Sequence, residues 1–268
     1  DSCVAMYSKA KPKRIEVEAA DGSRVKFLCK RENKGDLRKD ARLMELCAVV
    51  NRLLAQDAGA ARRSLRLRTY AVLCLNEECG LLEWVEATGP IKAQIDEAYK
   101  TQLTVRVPAS GATRQELNRL QKKHEGNAAE LGRAFRRDVL RRYPPVFHQW
   151  FTHQFSEPGR WLEARTRYTR SAGTWSALGH CVGLGDRHGE NILVDLRSAE
   201  LVHVDFDCLF DKGVTLRVPE IVPFRLTPNM VDGMGVWGYE GPYRSVMTLS
   251  LTVTPTPTLY PTPQTLTL

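Results

Sequence analysis

One stretch limits what this chain can fold into. Gly183-Leu184-Gly185-Asp186-Arg187-His188-Gly189-Glu190-Asn191-Ile192-Leu193-Val194-Asp195 is followed by Leu201-Val202-His203-Val204-Asp205-Phe206-Asp207. The apolar runs at 192–194 and 201–204 read as a β-hairpin. A glycine-bracketed loop with Asp186 and Asn191 enters it, and Asp205 leaves it. The spacing predicts a polar site flanked by that hairpin, so the rest of the chain must close around it.

The spacing also speaks to chemistry. Asp186 and Asn191 are five residues apart, as are the Asp and Asn of the kinase catalytic loop, and Asp205-Phe206 follows fourteen residues after Asn191. Phosphoryl transfer needs positioned phosphates, one or two magnesium ions and a carboxylate beside the nucleophile. Asp186 is the candidate base or hydroxyl-orienting group. His188 is a candidate donor to the transferring group, where charge develops. Asn191 and Asp205 offer the oxygen ligands that magnesium requires.

The remaining parts of an ATP site can be sought upstream. Ile15, Val17 and Ala19 alternate with charged residues, Asp21-Gly22 is a hairpin turn signal, and 24–29 reads as the return strand ending on Lys30. Lys30 is the candidate phosphate-binding lysine. Asp36 is a candidate N-cap, and Leu43, Leu46, Val50 and Leu53 recur at helical spacing, predicting a helix over 37–54. Asp40 in its first turn is the candidate partner of Lys30. A strand is expected over 65–75, with Tyr70 lining the inner end of the nucleotide pocket, and another over 81–85. Backbone groups of Glu83, Trp84 and Val85 are the candidate adenine contacts.

After Val85 the pattern turns helical. Helices are expected over 134–142, which Pro144-Pro145 stops, over the aromatic-rich 146–155, and over a buried 163–182. The segment 207–224 has few helix or strand signals and the position of an activation or substrate segment. Interrupted helix is expected over 229–253. Residues 254–268 are uncharged and rich in Thr and Pro, so disorder is expected there. The fold class is therefore α+β and two-lobed: a β-rich ATP-binding lobe over 1–85, an α-rich catalytic lobe over 86–253, and a tail.

Composition narrows the alternatives. The chain has 268 residues, 43% of them hydrophobic and 26% charged, which is ordinary for a globular domain. It has no apolar run of about 20 residues and no signal-peptide layout at Asp1-Ser2-Cys3, which reads as the start of a fragment. Seven scattered cysteines without a Cys-x-x-Cys pair give no support to zinc or redox motifs. The net charge of +8 is spread over many segments, apart from Lys9 to Arg14, so a solvated basic surface is favoured over a DNA groove.

Each candidate has a plainer reading. A loop Asp is usually a turn residue, His188 and His203 read equally as satisfied turn or core histidines, and Lys30 as a strand-end lysine. The order of the parts is what is specific. Gly183-x-Gly185-x-x-x-Gly189 has the wrong spacing for a dinucleotide fingerprint, no P-loop motif occurs, and His188-x-Glu190 lacks the cysteines of a zinc deaminase.

At these residues the chain resembles a known family. Asp36-Leu-Arg-Lys-Asp40, Gly183 to Leu193, Val202-His-Val-Asp-Phe206 and Val222-Pro-Phe-Arg-Leu-Thr227 are similar to the catalytic domain of the phosphatidylinositol 3-kinase-related protein kinases. Phe27-Leu-Cys-Lys30, Cys79 to Val85 and Asn229 to Gly235 resemble its ATR-type checkpoint branch. The resemblance covers roughly 5–253. It implies a serine/threonine protein kinase using ATP with magnesium or manganese, preferring Ser or Thr followed by Gln. It further implies nuclear DNA-damage and replication-checkpoint signalling. A helical-repeat region upstream and an obligate partner subunit that reads coated single-stranded DNA are implied as well. By position it gives Asp186 and His188 catalytic roles, and makes Asn191 and Asp205 metal ligands. Lys30, Asp40, Tyr70 and Glu83 to Val85 become ATP contacts, with Ser8 near the phosphate-covering loop.

Three departures stand out. Two extra residues between Lys30 and Asp36 make Lys34 a rival ATP lysine. Asp207 stands where many kinases have Gly. The resemblance ends after Val253, so an incomplete α-rich lobe is expected. The nearest rival function is a phosphoinositide kinase, which shares Gly-Asp-Arg-His and Asp-Phe. Residues 207–222 carry only Lys212 and Arg217 against Asp207, Asp211 and Glu220, too few cations for an inositol phosphate headgroup. A catalytically dead scaffold is the other rival, but no metal ligand is lost.

Overall fold

Alternating segments in the first third of the chain pair into one antiparallel sheet. The computed structural model describes residues 2–6, 11–31, 36–76, 78–101, 107–108, 110–216 and 218–254. Strands β1 (Ser2–Ala5), β2 (Lys13–Glu18), β3 (Arg24–Arg31), β4 (Val72–Cys74) and β5 (Cys79–Glu83) lie in the order β1-β2-β3-β5-β4. At the β2–β3 turn Gly22 takes φ +80°, and Ser23 N–H donates to Asp21 Oδ1 at 2.9 Å. Arg14 pairs with Leu28 and Leu28 with Leu82. Period-two alternation then puts Lys30 on the same face as Leu28, which packs on the core.

Helix α1 (Arg38–Gln56) buries Asp40, Leu43, Met44, Cys47, Val50 and Leu54, a stripe at three- and four-residue spacing. Leu46, expected in that stripe, is on the exposed side. Asp36 misses the N-cap position by one residue: Leu37 occupies it, and the Asp36 carboxylate accepts instead from Arg38 N–H at 3.0 Å. Helix α2 (Ala58–Arg62) follows.

The strand expected over 65–75 is a strand only at β4. Leu65 and Leu67 are buried as alternation requires, but the backbone of Leu67 is paired with a side chain. Leu67 N–H donates to Asn51 Oδ1 at 2.7 Å, and Asn51 Nδ2 donates back to its carbonyl at 2.8 Å. A helix side chain thus does the work of a neighbouring strand.

A second sheet orders β6 (Thr88–Pro90), β7 (Ile192–Asp195) and β8 (Leu201–His203) as β6-β7-β8. In sequence Ala87-Thr88-Gly89-Pro90 reads as a short break, but Thr88–Pro90 extends the expected hairpin by one edge strand. The helices around it are α3 (Ile91–Thr101), α4 (Ser110–Lys123), α5 (Ala128–Ala134), α6 (Phe147–Gln154), α7 (Pro158–Cys181), α8 (Pro228–Asp232) and α9 (Pro242–Val253). The helix expected over 134–142 is a continuation of α5 through a π turn (Phe135–Val139) and a 3-10 turn (Leu140–Arg142).

Helix α7 is the pillar of the helical part. Its Glu157 cap accepts from Gly159 and Arg160 N–H at 2.9 and 2.7 Å. Its buried face is clipped to the hairpin: Trp175 Nε1–H donates to Leu201 O at 3.1 Å, and Leu201 N–H donates to Ser171 Oγ at 3.0 Å. Its Tyr168 packs edge-on against Phe147 and Phe151 of α6. The pillar therefore fixes where its C-terminus releases the chain, at the loop before β7. Residues 207–224 contain one short 3-10 turn (Lys212–Thr215). The tail from 255 on, Ser8 and Lys34 lie outside the described residues. No helix among the described residues is long and apolar enough to cross a membrane.

Candidate active site

The loop between α7 and β7 is built on unusual backbone. Gly183 takes φ +55°, and a Cβ there would sit 2.5 Å from Asp211 N. Asp186 and Asp205 also lie in the left-handed region, at φ +55° and +63°, where a non-glycine residue is uncommon and carries strain.

Arg187 holds both. It is 5% exposed. Its Nε–H donates to Gly185 O at 2.9 Å, Nη1–H to Val204 O at 2.8 Å, and Nη2–H to Asp205 O. The guanidinium also lies over the Phe206 ring, 5.4 Å from its centre. Burial lowers its pKa, and the nearby Asp205 and Asp186 pull it back up. One cation thus bonds backbone carbonyls beside Asp186 and at Asp205.

Asn191 is buried, and its Nδ2–H donates to Asp186 O at 2.9 Å. That leaves its Oδ1 as the amide's acceptor, with no hydrogen bond to it among the described residues. Lys30 Nζ lies 3.4 Å from Asp205 Oδ1, joining the first sheet to the exit of β8 across 175 residues. The sequence offers Asp40 as the partner of Lys30; the structure places Asp205 Oδ1 beside its ammonium. Asp40 is buried at 3% exposure. Tyr70 is 5% exposed, and its hydroxyl has no hydrogen-bond partner among the described residues. Burial raises the Tyr70 pKa well above its ordinary value; Asp40 raises it further, Arg187 opposes, and Asp205 adds to the rise. The ring therefore ends among the acidic and basic groups of the site. A buried unpartnered hydroxyl costs roughly 1–3 kcal/mol, which a ligand or water would relieve.

The segment joining the two sheets offers a donor and an acceptor. Glu83 N–H donates to Ala71 O at 2.8 Å, and Trp84 N–H to Lys26 O at 2.9 Å. The ladder would return Ala71 N–H to the Glu83 carbonyl, but that N–H donates to Glu83 Oε2 at 2.9 Å. That spares the Glu83 carbonyl, and the Val85 N–H has no hydrogen bond among the described residues, while the Val85 carbonyl accepts from Thr88 Oγ1 at 2.7 Å. Arg14 stacks on the Trp84 ring at 5.6 Å.

The two histidines separate. His203 is buried and stacked on Trp175, centroids 4.5 Å apart, and burial drives its pKa well below the ordinary value; it is a neutral core residue. His188 is exposed on the loop, and among the described residues its one hydrogen bond is at the carbonyl, which accepts from Asn191 N–H at 2.9 Å.

Asn191 Oδ1 and the second Asp205 oxygen are hard donors that suit magnesium. No group of three or more His, Cys, Asp or Glu residues among those described is arranged for a metal. Two protein oxygens with phosphate oxygens completing the shell is the arrangement magnesium takes in phosphate-handling sites. Sequence reading missed Arg187, because backbone carbonyl acceptors leave no trace in a sequence. It also missed Glu220, whose Oε2 accepts from Asp186 N–H at 2.8 Å from 34 residues away.

The chain matches the family model described as phosphatidylinositol 3- and 4-kinase over residues 24–258. It is 45% identical over 255 residues to the serine/threonine-protein kinase ATR of Arabidopsis thaliana, covering 94% of this chain and 9% of that protein. It is 44% identical over 251 residues to protein kinase rad3 of Schizosaccharomyces pombe, covering 94% of this chain and 10% of that one. The solved FAT and kinase domain of CtTel1 superposes with a TM-score of 0.84 at 36% identity, covering 94% of this chain and 17% of that one. The chain thus spans about a tenth of the length of these curated relatives.

Proposed function

The chain belongs to the phosphatidylinositol 3- and 4-kinase family, and on that premise we propose that it forms the catalytic domain of an ATP-dependent serine/threonine protein kinase. The observation that carries this reading is the meeting of Lys30 and Asp205 across the cleft, 3.4 Å apart. Asp186, Asn191 and Asp205 gather around that contact through Arg187.

In this reading Glu83 O and Val85 N–H take the two hydrogen-bonding atoms on the adenine edge. Tyr70 closes the inner end of the pocket, beside Asp40. Lys30 turns its ammonium to the phosphates. Asn191 and Asp205 hold magnesium, which when bound neutralises charge on the phosphate oxygens. Asp186 accepts the proton of the substrate hydroxyl and fixes its line of attack. His188, exposed beside it, donates to the transferring group.

Protein rather than lipid is the substrate class we favour. Of the two cations in 207–222, Lys212 is already paired with Asp207 at 3.0 Å, so little charge remains for an inositol headgroup. The relatives named serine/threonine-protein kinase support Ser or Thr as the acceptor, and the resemblance of 27–30, 79–85 and 229–235 to the ATR-type branch leads us to propose a following Gln. From that same resemblance we also propose nuclear checkpoint signalling, and a partner subunit that recruits the full-length protein to coated single-stranded DNA.

The test offers ATP and magnesium with a Ser-Gln peptide, its Ser-Ala counterpart, or phosphatidylinositol vesicles. The Ser-Gln peptide is expected to be labelled best. Asp186→Ala and Asp205→Ala each lower its labelling by at least about 100-fold with an unchanged melting temperature. Labelled lipid with unlabelled peptide would overturn the assignment, and normal activity in either variant would remove that residue's role.

A further inference from the structure

Asp207 stands two residues after Asp205, where many kinases carry glycine. Its carboxylate is shared. Oδ1 accepts from Lys39 Nζ at 2.8 Å and Oδ2 from Lys212 Nζ at 3.0 Å. Lys39 lies in the first turn of α1, beside Asp40; Lys212 opens the 3-10 turn of the segment 207–224. The three groups therefore come from the helix packed on the first sheet, the first residue of the candidate substrate segment where it leaves the Asp205 position, and the 3-10 turn further along that segment. The Lys30–Asp205 pair crosses the same gap two residues earlier, at 3.4 Å. Glycine at 207 would leave that pair as the single crossing of the two.

We propose that Asp207 is a positioning residue that couples closure of the ATP cleft to ordering of the substrate segment, by holding Lys39 on one oxygen and Lys212 on the other. The proposal rests on the kinase reading above. Lys39 and Asp207 are 38% and 44% exposed, so the pair contributes little to folding by itself. Its effect comes from where it acts. ATP binds between the sheet and the Asp205 position, so a contact fixing their separation stabilises the occupied cleft over the open one. The same carboxylate restrains the segment against which a peptide must lie.

The test is steady-state kinetics on the protein at its full natural length, with ATP and peptide varied separately and melting temperatures recorded. Lys39→Met is expected to raise the KM for ATP up to about fivefold and leave the KM for peptide unchanged. Lys212→Met is expected to do the reverse. Asp207→Asn raises both, and Asp207→Glu restores both towards the wild-type values. Combined with Lys39→Met, Asp207→Asn costs ATP binding no more than either change alone.

The proposal fails if Asp207→Asn moves neither constant, or if its ATP effect multiplies with that of Lys39→Met. Should Asp207→Asn not fold, the lysine variants decide: both constants shifting alike in either one, or neither shifting, overturns it. A wild-type protein that labels no peptide is a failure of the kinase reading instead. Equilibrium titration of ATP and magnesium, followed by tryptophan fluorescence, then still decides whether Lys39 and Asp207 act as one unit.

Discussion

Arg187 shows what a motif does and does not reveal. The spacing of Asp186, Asn191 and Asp205 was legible because the phosphoryl transfer proposed for them requires those residue types at those distances along the chain. The residue that holds them was not, because its partners are carbonyls of Gly185, Val204 and Asp205, which any residue supplies. Three donors fan out from one planar group, which an ammonium cannot reproduce. Arg187→Lys is therefore expected to leave at least one of these buried carbonyls unpaired. Urea denaturation should show a loss of about 1–3 kcal/mol. Peptide phosphorylation should lose more than that figure explains, about tenfold or more in kcat with the folded fraction held constant, because Asp186 and Asp205 relax from left-handed backbone. A kcat that stays at the wild-type value would reduce Arg187 to a packing residue. The same limit applies to Lys30: its place at the end of a hairpin strand was readable, but its ion pair with Asp205 joins positions 175 residues apart.

Elements were legible where their period was clean and unreliable where other groups took over the backbone. The stripe of α1 and the hairpin β7–β8 follow from residue type, but 65–71 alternates like a strand and is bonded by the Asn51 side chain. Gly173 and Gly179 lie inside α7, where glycine lowers helix propensity. Gly173 is better explained by close packing: a Cβ there would lie 3.0 Å from Tyr243 O and 3.1 Å from Val246 Cγ1 on α9. Gly173→Val should force α7 and α9 apart and cost about 1–3 kcal/mol in urea denaturation. Gly132 in α5 is the control, since the nearest atom to its added Cβ is Arg136 Nη2 at 3.8 Å. Gly132→Ala should gain up to about 1 kcal/mol through helix propensity. Equal losses at both positions would mean that the α7–α9 contact is looser than these distances imply.

Among the described residues, the first sheet with its helix is tied by ion pairs at two places to the second sheet and the chain leaving it. At the front stand Lys30–Asp205 and Lys39–Asp207. Behind them the extended segment 65–71 contributes Arg66, paired with Glu200, and Arg68, paired with Asp195. None of these partners was readable in advance, because each joins residues more than a hundred positions apart and their charges look like ordinary surface charges. The rear tie at Asp195 is largely buried and organises the β7–β8 turn, accepting from Arg197 N–H at 2.8 Å and Ser198 N–H at 2.7 Å. Burial raises the pKa of that carboxyl, but hydrogen bonds from Arg197, Arg68 and Ser198 outweigh it and hold it below the ordinary 3.8. The unfolded chain therefore binds the proton first as the solution is acidified. The stability Asp195 adds is complete well above 3.8 and is lost as the pH falls through its lower folded value. Asp195→Asn should cost about 1–3 kcal/mol at pH 7, where the wild type holds a charged acceptor for three donors. Below pH 3.8 the gap between variant and wild type should narrow, because the wild-type group is then being neutralised too. Melting curves from pH 7 to pH 3 follow this directly. A gap that stays constant over that range would mean that the Asp195 charge contributes nothing, and that the rear tie holds by shape alone.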